Sequence, residues 1–413
     1  MLDPYKIRQD FPILENTIIN GRKLVYFDNA ATSQKPVQVL KTLHEFYMRY
    51  NANIHRGFHY LSQEASRLYE EAHEVVARFI NAREPEEIVF VRNTTEALNL
   101  IAYAWAFKHV NSGDEIIVTI MEHHSNFLPW FKIARYKNAH VKVIDVYDDG
   151  RLKIEEFENA ISDKTKLVAV SHMSNVTGVI NDIKRIARLS HERGARIVVD
   201  AAQSVPHIPV DVRDLGVDFL AFSGHKMLGP TGIGVLYMRE EVIDELDTFL
   251  VGGDTIKEVH YNGELRVVWH KTPWRYEAGT PNIAGGIGLA EAVKYLSKIG
   301  MDNVERHEQE LVSYLLKRFE EEGLRDAIRI LGPRETVSRG GIVSFTLRDL
   351  DPHATAIMLD QKAIAVRSGF HCAQPLHERL GFHRGSVRAS FYIYNTREEI
   401  DCFADVLKSM ATS

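Results

Sequence analysis

Cysteine is scarce in this chain. Its 413 residues include two, Cys372 and Cys402. Two thiols cannot make a disulfide framework in a protein of this size, and the usage fits a reducing compartment. Long apolar runs are also missing: no stretch approaches the ~18 consecutive apolar residues of a membrane span. Residues 1–11 carry Asp3, Arg8 and Asp10 where a secretory leader would be apolar. A cytoplasmic protein without membrane association is expected. Excess positive charge is absent as well, with 50 Lys and Arg against 56 Asp and Glu and a net charge of -6. That balance gives a nucleic-acid backbone no basic face to bind. No G-x-G-x-x-G or Walker-type loop is present, so nucleotide sites lack their marks. Nor is there an H-E-x-x-H or a paired C-x-x-C, and no metal site is expected. His55 and His59 stand four apart, but no acidic third ligand accompanies them.

What is present is an ordinary globular composition, 45% apolar and 26% charged. Short runs rich in Val and Ile occur at 88–91, 116–120, 167–171, 197–199, 219–222 and 233–237. They are nearly continuous, as strands buried on both faces should be. Between them lie amphipathic segments. One is 62–80, with apolar residues at helical spacing and Ser62 as its N-cap. Alternation of this kind predicts an α/β fold with a mostly parallel sheet wrapped by helices. Near residue 297 the pattern changes to a charged helix (303–321), a strand (342–346), a helix (352–360), a strand (363–366) and a last helix (396–410). Residues 21–296 are therefore read as a large domain, and 1–20 with 297–413 as a smaller α+β domain.

In open α/β sheets ligands bind beyond the carboxyl ends of the strands. After 88–91 come Thr94 and Thr95 at a helix start, where free N–H groups and hydroxyls suit a phosphate and where a simple cap would look the same. After 116–120 comes His123, either a structural imidazole or one that stacks on an aromatic ligand. After 167–170 comes Asn175, a turn residue or a hydrogen-bonding partner for a ligand. After 197–199 comes Asp200, costly at the end of a buried strand unless a cation faces it. A pyridinium nitrogen is such a cation. After 219–222 comes Ser223-Gly224-His225-Lys226. A desolvated lysine there would have a lowered pKa and react with a carbonyl.

These segments resemble a known family. Asp200-Ala201-Ala202-Gln203 followed by Ser223-Gly224-His225-Lys226 is similar to the class V aminotransferase branch of fold-type I pyridoxal-phosphate enzymes. Arg367-Ser368-Gly369-Phe370-His371-Cys372-Ala373 resembles the cysteine-bearing signature of group II, SUF-type cysteine desulfurases. Further similarity runs through Asp28-Asn29-Ala30-Ala31, Asn53-Ile54-His55-Arg56-Gly57, Tyr276 to Asn282 and Arg388-Ala389-Ser390. It thus covers nearly the whole chain.

The resemblance implies a seven-stranded, mostly parallel sheet plus the smaller C-terminal domain. It implies that pyridoxal 5'-phosphate is bound covalently by Lys226. Asp200 would face the ring nitrogen and Gln203 the ring hydroxyl, with His123 on the ring face. Thr95, Ser223 and His225 would take the phosphate, with Thr94 close by. Thr280 would reach the same phosphate from the other subunit of a homodimer. Asn175 and Arg388 would hold the substrate carboxylate, with His55 and Arg367 lining the pocket. Lys226, Cys372 and His123 are the catalytic candidates. The implied reaction takes sulfur from L-cysteine onto Cys372, leaving alanine. A SufE- or SufU-like acceptor would then carry sulfur toward iron-sulfur cluster assembly. A selenocysteine lyase and a class V aminotransferase are the alternatives. A non-catalytic sulfur-transfer scaffold or regulatory cofactor-binding protein would have no need of all three of Lys226, Asp200 and Cys372. Two positions depart from the pattern: Asn93 stands where many relatives have Gly, and Phe370 where they often have a second His. Cys402, in the last helix, reads as core packing.

Overall fold

A strand buried on both faces contributes alternate side chains to two cores. The computed structural model, which describes residues 2–412, has seven strands in one sheet, all but one of them of this kind. They are β1 (Ile88–Val91), β2 (Glu115–Thr119), β3 (His140–Ile144), β4 (Thr165–Ser171), β5 (Arg196–Asp200), β6 (Phe219–Ser223) and β7 (Gly234–Met238). Their spatial order is β1-β7-β6-β5-β4-β2-β3. β7 is antiparallel to both neighbours and the other pairs are parallel. Along β4, Val168 and Val170 join one apolar cluster while Leu167 and Ala169 join the other, the alternation that a pleat imposes. The expected mostly parallel, seven-stranded sheet is what forms. β3 was not among the apolar runs, because at the sheet edge only Ile144 of its five residues is buried.

One face is covered by α1 (Tyr60–Phe79), the other by helices that include α2 (Thr94–Leu100). α3 (Ile283–Ile299) packs against α1 so closely that a Cβ at Gly286 would lie 2.8 Å from the Tyr69 ring. The start of α1 corrects the sequence reading. Ser62 is not its cap: His59 is, its ring nitrogen accepting from the Ser62 N–H. Ser62 is buried, and its hydroxyl donates to the Asn53 carbonyl at 2.7 Å.

The smaller unit has β8 (Ile328–Leu331), β9 (Ile342–Leu347), β10 (Arg367–Gly369) and β11 (Ser386–Ser390), antiparallel in the order β8-β9-β11-β10. It also holds α4 (Met301–Glu321), α5 (Pro352–Asp360), α6 (Gln374–Arg379) and α7 (Arg397–Thr412). Leu315, Phe345 and Phe403 belong to its own core. The N-terminal stretch joins both units. Arg8 pairs with Glu399 at 2.6 Å, whereas Phe11 and Leu14 pack in the large core. Val25 and Tyr26 pair in parallel with Ile364 and Ala365, and Phe27 enters the small core. Attachment to the small unit therefore continues past residue 20. Among the described residues, no helix is long and apolar enough to cross a membrane.

At the opposite end of the sheet from the strand carboxyl termini, Asp218 is fully buried. It accepts from the Ile197 N–H and from His191, both at 2.8 Å, and pairs with Arg196 at 3.2 Å and Arg239 at 2.7 Å. Removing it leaves the buried Ile197 N–H without its acceptor, while Arg196 and Arg239 keep Glu245 and Glu241. Asp218→Ala is expected to lose about 1–3 kcal/mol, read as a lower urea midpoint, with the distant lysine cavity unaltered in the folded fraction.

Candidate active site

The carboxyl ends of β1, β2, β4, β5 and β6 open into a cavity of about 340 Å³, closed on its other side by β10, β11 and the loop after β10. Twelve of the fourteen residues singled out from the sequence line it: Thr94, Thr95, His123, Asn175, Asp200, Gln203, Ser223, His225, Lys226, Arg367, Cys372 and Arg388. Two do not. Thr280 lines a separate cavity beside Arg92 and Glu96. His55 packs against Trp274 with ring centroids 4.1 Å apart, and its Nδ1 is 3.8 Å from Glu70.

Lys226 follows β6 by three residues, and Asp200 ends the adjacent β5. Both are buried. Desolvation disfavours the ammonium, and the Asp200 carboxylate only partly offsets it, leaving Lys226 lowered to about 8. Burial likewise holds Asp200 above the usual carboxylate range, despite the Ala202 N–H at 2.9 Å and the charge of Lys226. A cationic ring nitrogen facing Asp200 would relieve that cost. Gln203 donates to the Ala30 carbonyl at 2.8 Å, and its Oε1 is buried without a partner. A ligand hydroxyl would satisfy it.

At the helix start, the Ser223 hydroxyl accepts from the Thr94 N–H at 2.9 Å and lies 2.7 Å from Thr94 Oγ1. Thr95 Oγ1 is 2.8 Å from Ser125 Oγ. Asn93, the departure from the family pattern, caps α2 by accepting from the Glu96 N–H. This cluster of hydroxyls and N–H groups suits a phosphate. His123 and His225 are neutral: burial lowers them to about 3 and about 4, and the nearby Lys226 adds to this. Neutral imidazoles can lie on a ring face or donate to phosphate without opposing Lys226. The residues present thus fit pyridoxal phosphate.

The facing wall is cationic and carries sulfur. Arg367 grips Asp28 with Nε and NH2, the shorter contact being 2.8 Å. Arg388 is buried. Its NH1 donates to the Asn175 carbonyl at 2.8 Å, and its Nε has no partner. The Asn175 side-chain amide is already engaged, donating to the His371 carbonyl at 2.7 Å. Cys372 is exposed in the cavity, in a left-handed backbone conformation (φ 57°), and its carbonyl accepts from the His124 N–H at 2.7 Å. Cys402 is partly buried on α7, away from the cavity.

Sequence reasoning missed Glu122 and the part played by Asp28. Glu122 is buried and accepts from Thr119 Oγ1 and Asn126 Nδ2 at 2.6 Å and from the Ser171 N–H at 3.0 Å. It ties β2 to β4 at the residue before His123. A charged residue ending an apolar run was the available signal. Asp28 stood in a recognised motif, but its two arginine partners lie more than 330 residues away.

Only the neutral amine reacts with an aldehyde. With Lys226 at about 8, the rate at which the cofactor-free protein takes up pyridoxal phosphate covalently should climb with pH and level off above about 8. Asp200→Asn removes the charge that raises Lys226 and should move the levelling point to lower pH. Stopped-flow absorbance reads both. A plateau delayed to the pH of a solvated lysine would refute the burial argument.

Residues 25–403 match the model of the class-V aminotransferase family. The chain is 47% identical to a cysteine desulfurase of Haloferax volcanii, over 98% of this chain and 96% of that protein. It is also 47% identical to a probable cysteine desulfurase of Staphylococcus aureus, with the same coverage. Among solved structures, cysteine desulfurase from Thermococcus onnurineus superposes with a TM-score of 0.93 at 43% identity, covering 100% of this chain and 99% of that one. CsdA of Escherichia coli gives 0.90 at 34%, with the same coverage. The chain belongs to the class-V aminotransferase family.

Proposed function

We propose that this protein is a pyridoxal-phosphate-dependent cysteine desulfurase that takes sulfur from L-cysteine onto Cys372. The observation that carries this is one cavity holding three features together: the buried Lys226–Asp200 pair, the exposed Cys372 thiol and the unpartnered Nε of Arg388. An aminotransferase needs the first and third but has no use for the thiol. Its relatives of 47% identity are cysteine desulfurases by name.

The cofactor, when bound, supplies an electron sink that acidifies the Cα–H of an amino acid. Asp200, Gln203, His123, Thr95, Ser223 and His225 would hold it. Arg388 binds the substrate carboxylate, and Asn175 keeps its guanidinium aimed. The Lys226 amine, neutral in part at neutral pH, accepts the Cα proton. Cys372 as thiolate attacks the substrate sulfur. An S–S bond forms while the Cβ–S bond breaks, and the released electron pair stays with carbon, where a proton completes alanine. Cys372 is left as a persulfide. The sulfur then passes to a SufE- or SufU-like acceptor for iron-sulfur cluster assembly in the cytoplasm.

A homodimer accompanies this reading. Thr280 and His55 lie outside their own chain's cavity. Near His55, Tyr47, Met48, Phe58 and Tyr60 are exposed, Phe58 at 95%. A patch of that kind marks an interface. Sedimentation at twice 47.1 kDa is expected, and a monomer at working concentration would sink the trans role of Thr280.

Alanine and sulfide release from L-cysteine with a reductant tests the activity. Cys372→Ala should retain the absorbance of the lysine-bound cofactor and lose at least about 100-fold in alanine release. Undiminished release would instead favour direct elimination or a selenocysteine lyase, which relative turnover of the two substrates then separates.

A further inference from the structure

His371 precedes Cys372, lines the same cavity and is buried. Its Nε2 lies 3.0 Å from Ser386 Oγ on β11. The same hydroxyl lies 2.9 Å from His377 Nε2 on α6, and His377 Nδ1 lies 2.9 Å from the Ala373 carbonyl. A carbonyl only accepts, so His377 Nδ1 carries a proton. Burial, and then the charge of Arg388, keep His377 below the ordinary imidazole range, so the ring is neutral and its Nε2 is bare. The Ser386 O–H therefore donates to His377, and the Ser386 oxygen accepts from His371 Nε2–H. His371 is held neutral too, well below its usual range, by burial and then by Arg388, His377 and Arg367. A neutral ring protonated at Nε2 has a bare Nδ1. That atom is buried and has no partner.

We propose that His377 and Ser386 lock His371 into the tautomer whose bare Nδ1 accepts the proton of the Cys372 thiol. This rests on Cys372 being the sulfur acceptor. In the step the Sγ–H bond breaks, an N–H bond forms at Nδ1 and the electron pair stays on sulfur. The imidazolium later releases its proton to solvent. Three groups facing His371 oppose that imidazolium: Arg388 from β11, Arg367 from β10 and His377 from α6. Arg367 is already neutralised by Asp28. Burial, the largest cause, remains, but a substrate carboxylate on Arg388 offsets the next largest, so the transfer becomes less unfavourable once cysteine is bound. His371 is then a catalytic residue, and His377 and Ser386 are positioning residues.

The test uses holoenzyme. Alanine release is followed as a function of pH for native protein, His371→Gln and Ser386→Ala, together with the rate at which iodoacetamide alkylates Cys372, read on its peptide by mass spectrometry. His371→Gln should lower kcat about 100-fold at neutral pH with cofactor absorbance intact. Its deficit should shrink as rising pH ionises the thiol without help, a trend that a packing defect would not produce. Ser386→Ala, which frees the ring to take the other tautomer, should show the same trend with a smaller loss, and alkylation should slow in parallel. If His371→Gln does not fold, the Ser386→Ala profile decides alone. Rates within twofold of native at every pH, with Cys372→Ala inactive, would overturn the proton acceptor and leave the desulfurase reading standing. Full activity in Cys372→Ala would instead remove the reading beneath it.

Discussion

Two opposite charges, Asp200 buried at the end of β5 and Lys226 in the turn after the neighbouring parallel strand β6, govern this site. Asp200 and Lys226 are each disfavoured as ions by their surroundings, and their attraction offsets only part of the desolvation. The result is an amine close to neutrality at the pH of a cell and a carboxyl awaiting a cation. Both properties come from depth in the sheet. β4, β5 and β6 are paired in register so that Ser171, Asp200 and Ala221 lie abreast, and the turn after β6 carries Lys226 over that edge. A solvated lysine in the same sequence would be fully charged and unreactive.

The second constraint is the fit of the small unit onto that edge. Arg379 on Asp145, His207 on Glu308 and Ser344 on the Val176 carbonyl hold it from outside, and at the cavity main-chain and side-chain groups share the contacts. The His124 N–H meets the Cys372 carbonyl, the Asn175 amide meets the His371 carbonyl, and the Asn175 carbonyl meets Arg388. Asp28 pairs with both Arg367 and Arg388. The thiol is thereby placed by fixed backbone geometry while its side chain stays free. The left-handed conformations of His371 and Cys372 (φ 49° and 57°) carry strain of the kind found where function over-determines the backbone.

Much of this was legible in the sequence because the signals are local. The buried strands announce themselves as apolar runs, and the residues after each run fall on one edge by topology alone. β3 escaped because an edge strand need not be apolar. The Ser62 cap was misread because the hydroxyl serves Asn53, nine residues back, and a ring nitrogen takes the capping role. Contacts between units were the least legible. His371, Ser386 and His377 meet because β10 and β11 are paired and α6 folds back beside them. Nothing at their spacing in the chain announces a hydrogen-bonded row. Asp28 and its arginines are hidden for the same reason.

Charge accounting in the cavity links these constraints. His123, His225 and His371 are neutral, for burial lowers each of them. Glu122, pushed up to about 8 by burial, adds no full negative charge one residue before His123 at neutral pH. Arg367 is matched by a bidentate Asp28, while Arg388 stands 3.7 Å from that same carboxylate with its Nε unpartnered. The protein has therefore withheld charge from most of the wall and left one incompletely matched cation beside the thiol. In the proposed function, an amino-acid carboxylate would complete that match. A substrate of this shape supplies the anion the cavity lacks, and in doing so lowers the positive potential that opposes protonating a neighbouring imidazole. In the proposed reading, substrate binding and proton transfer to His371 would be coupled through Arg388.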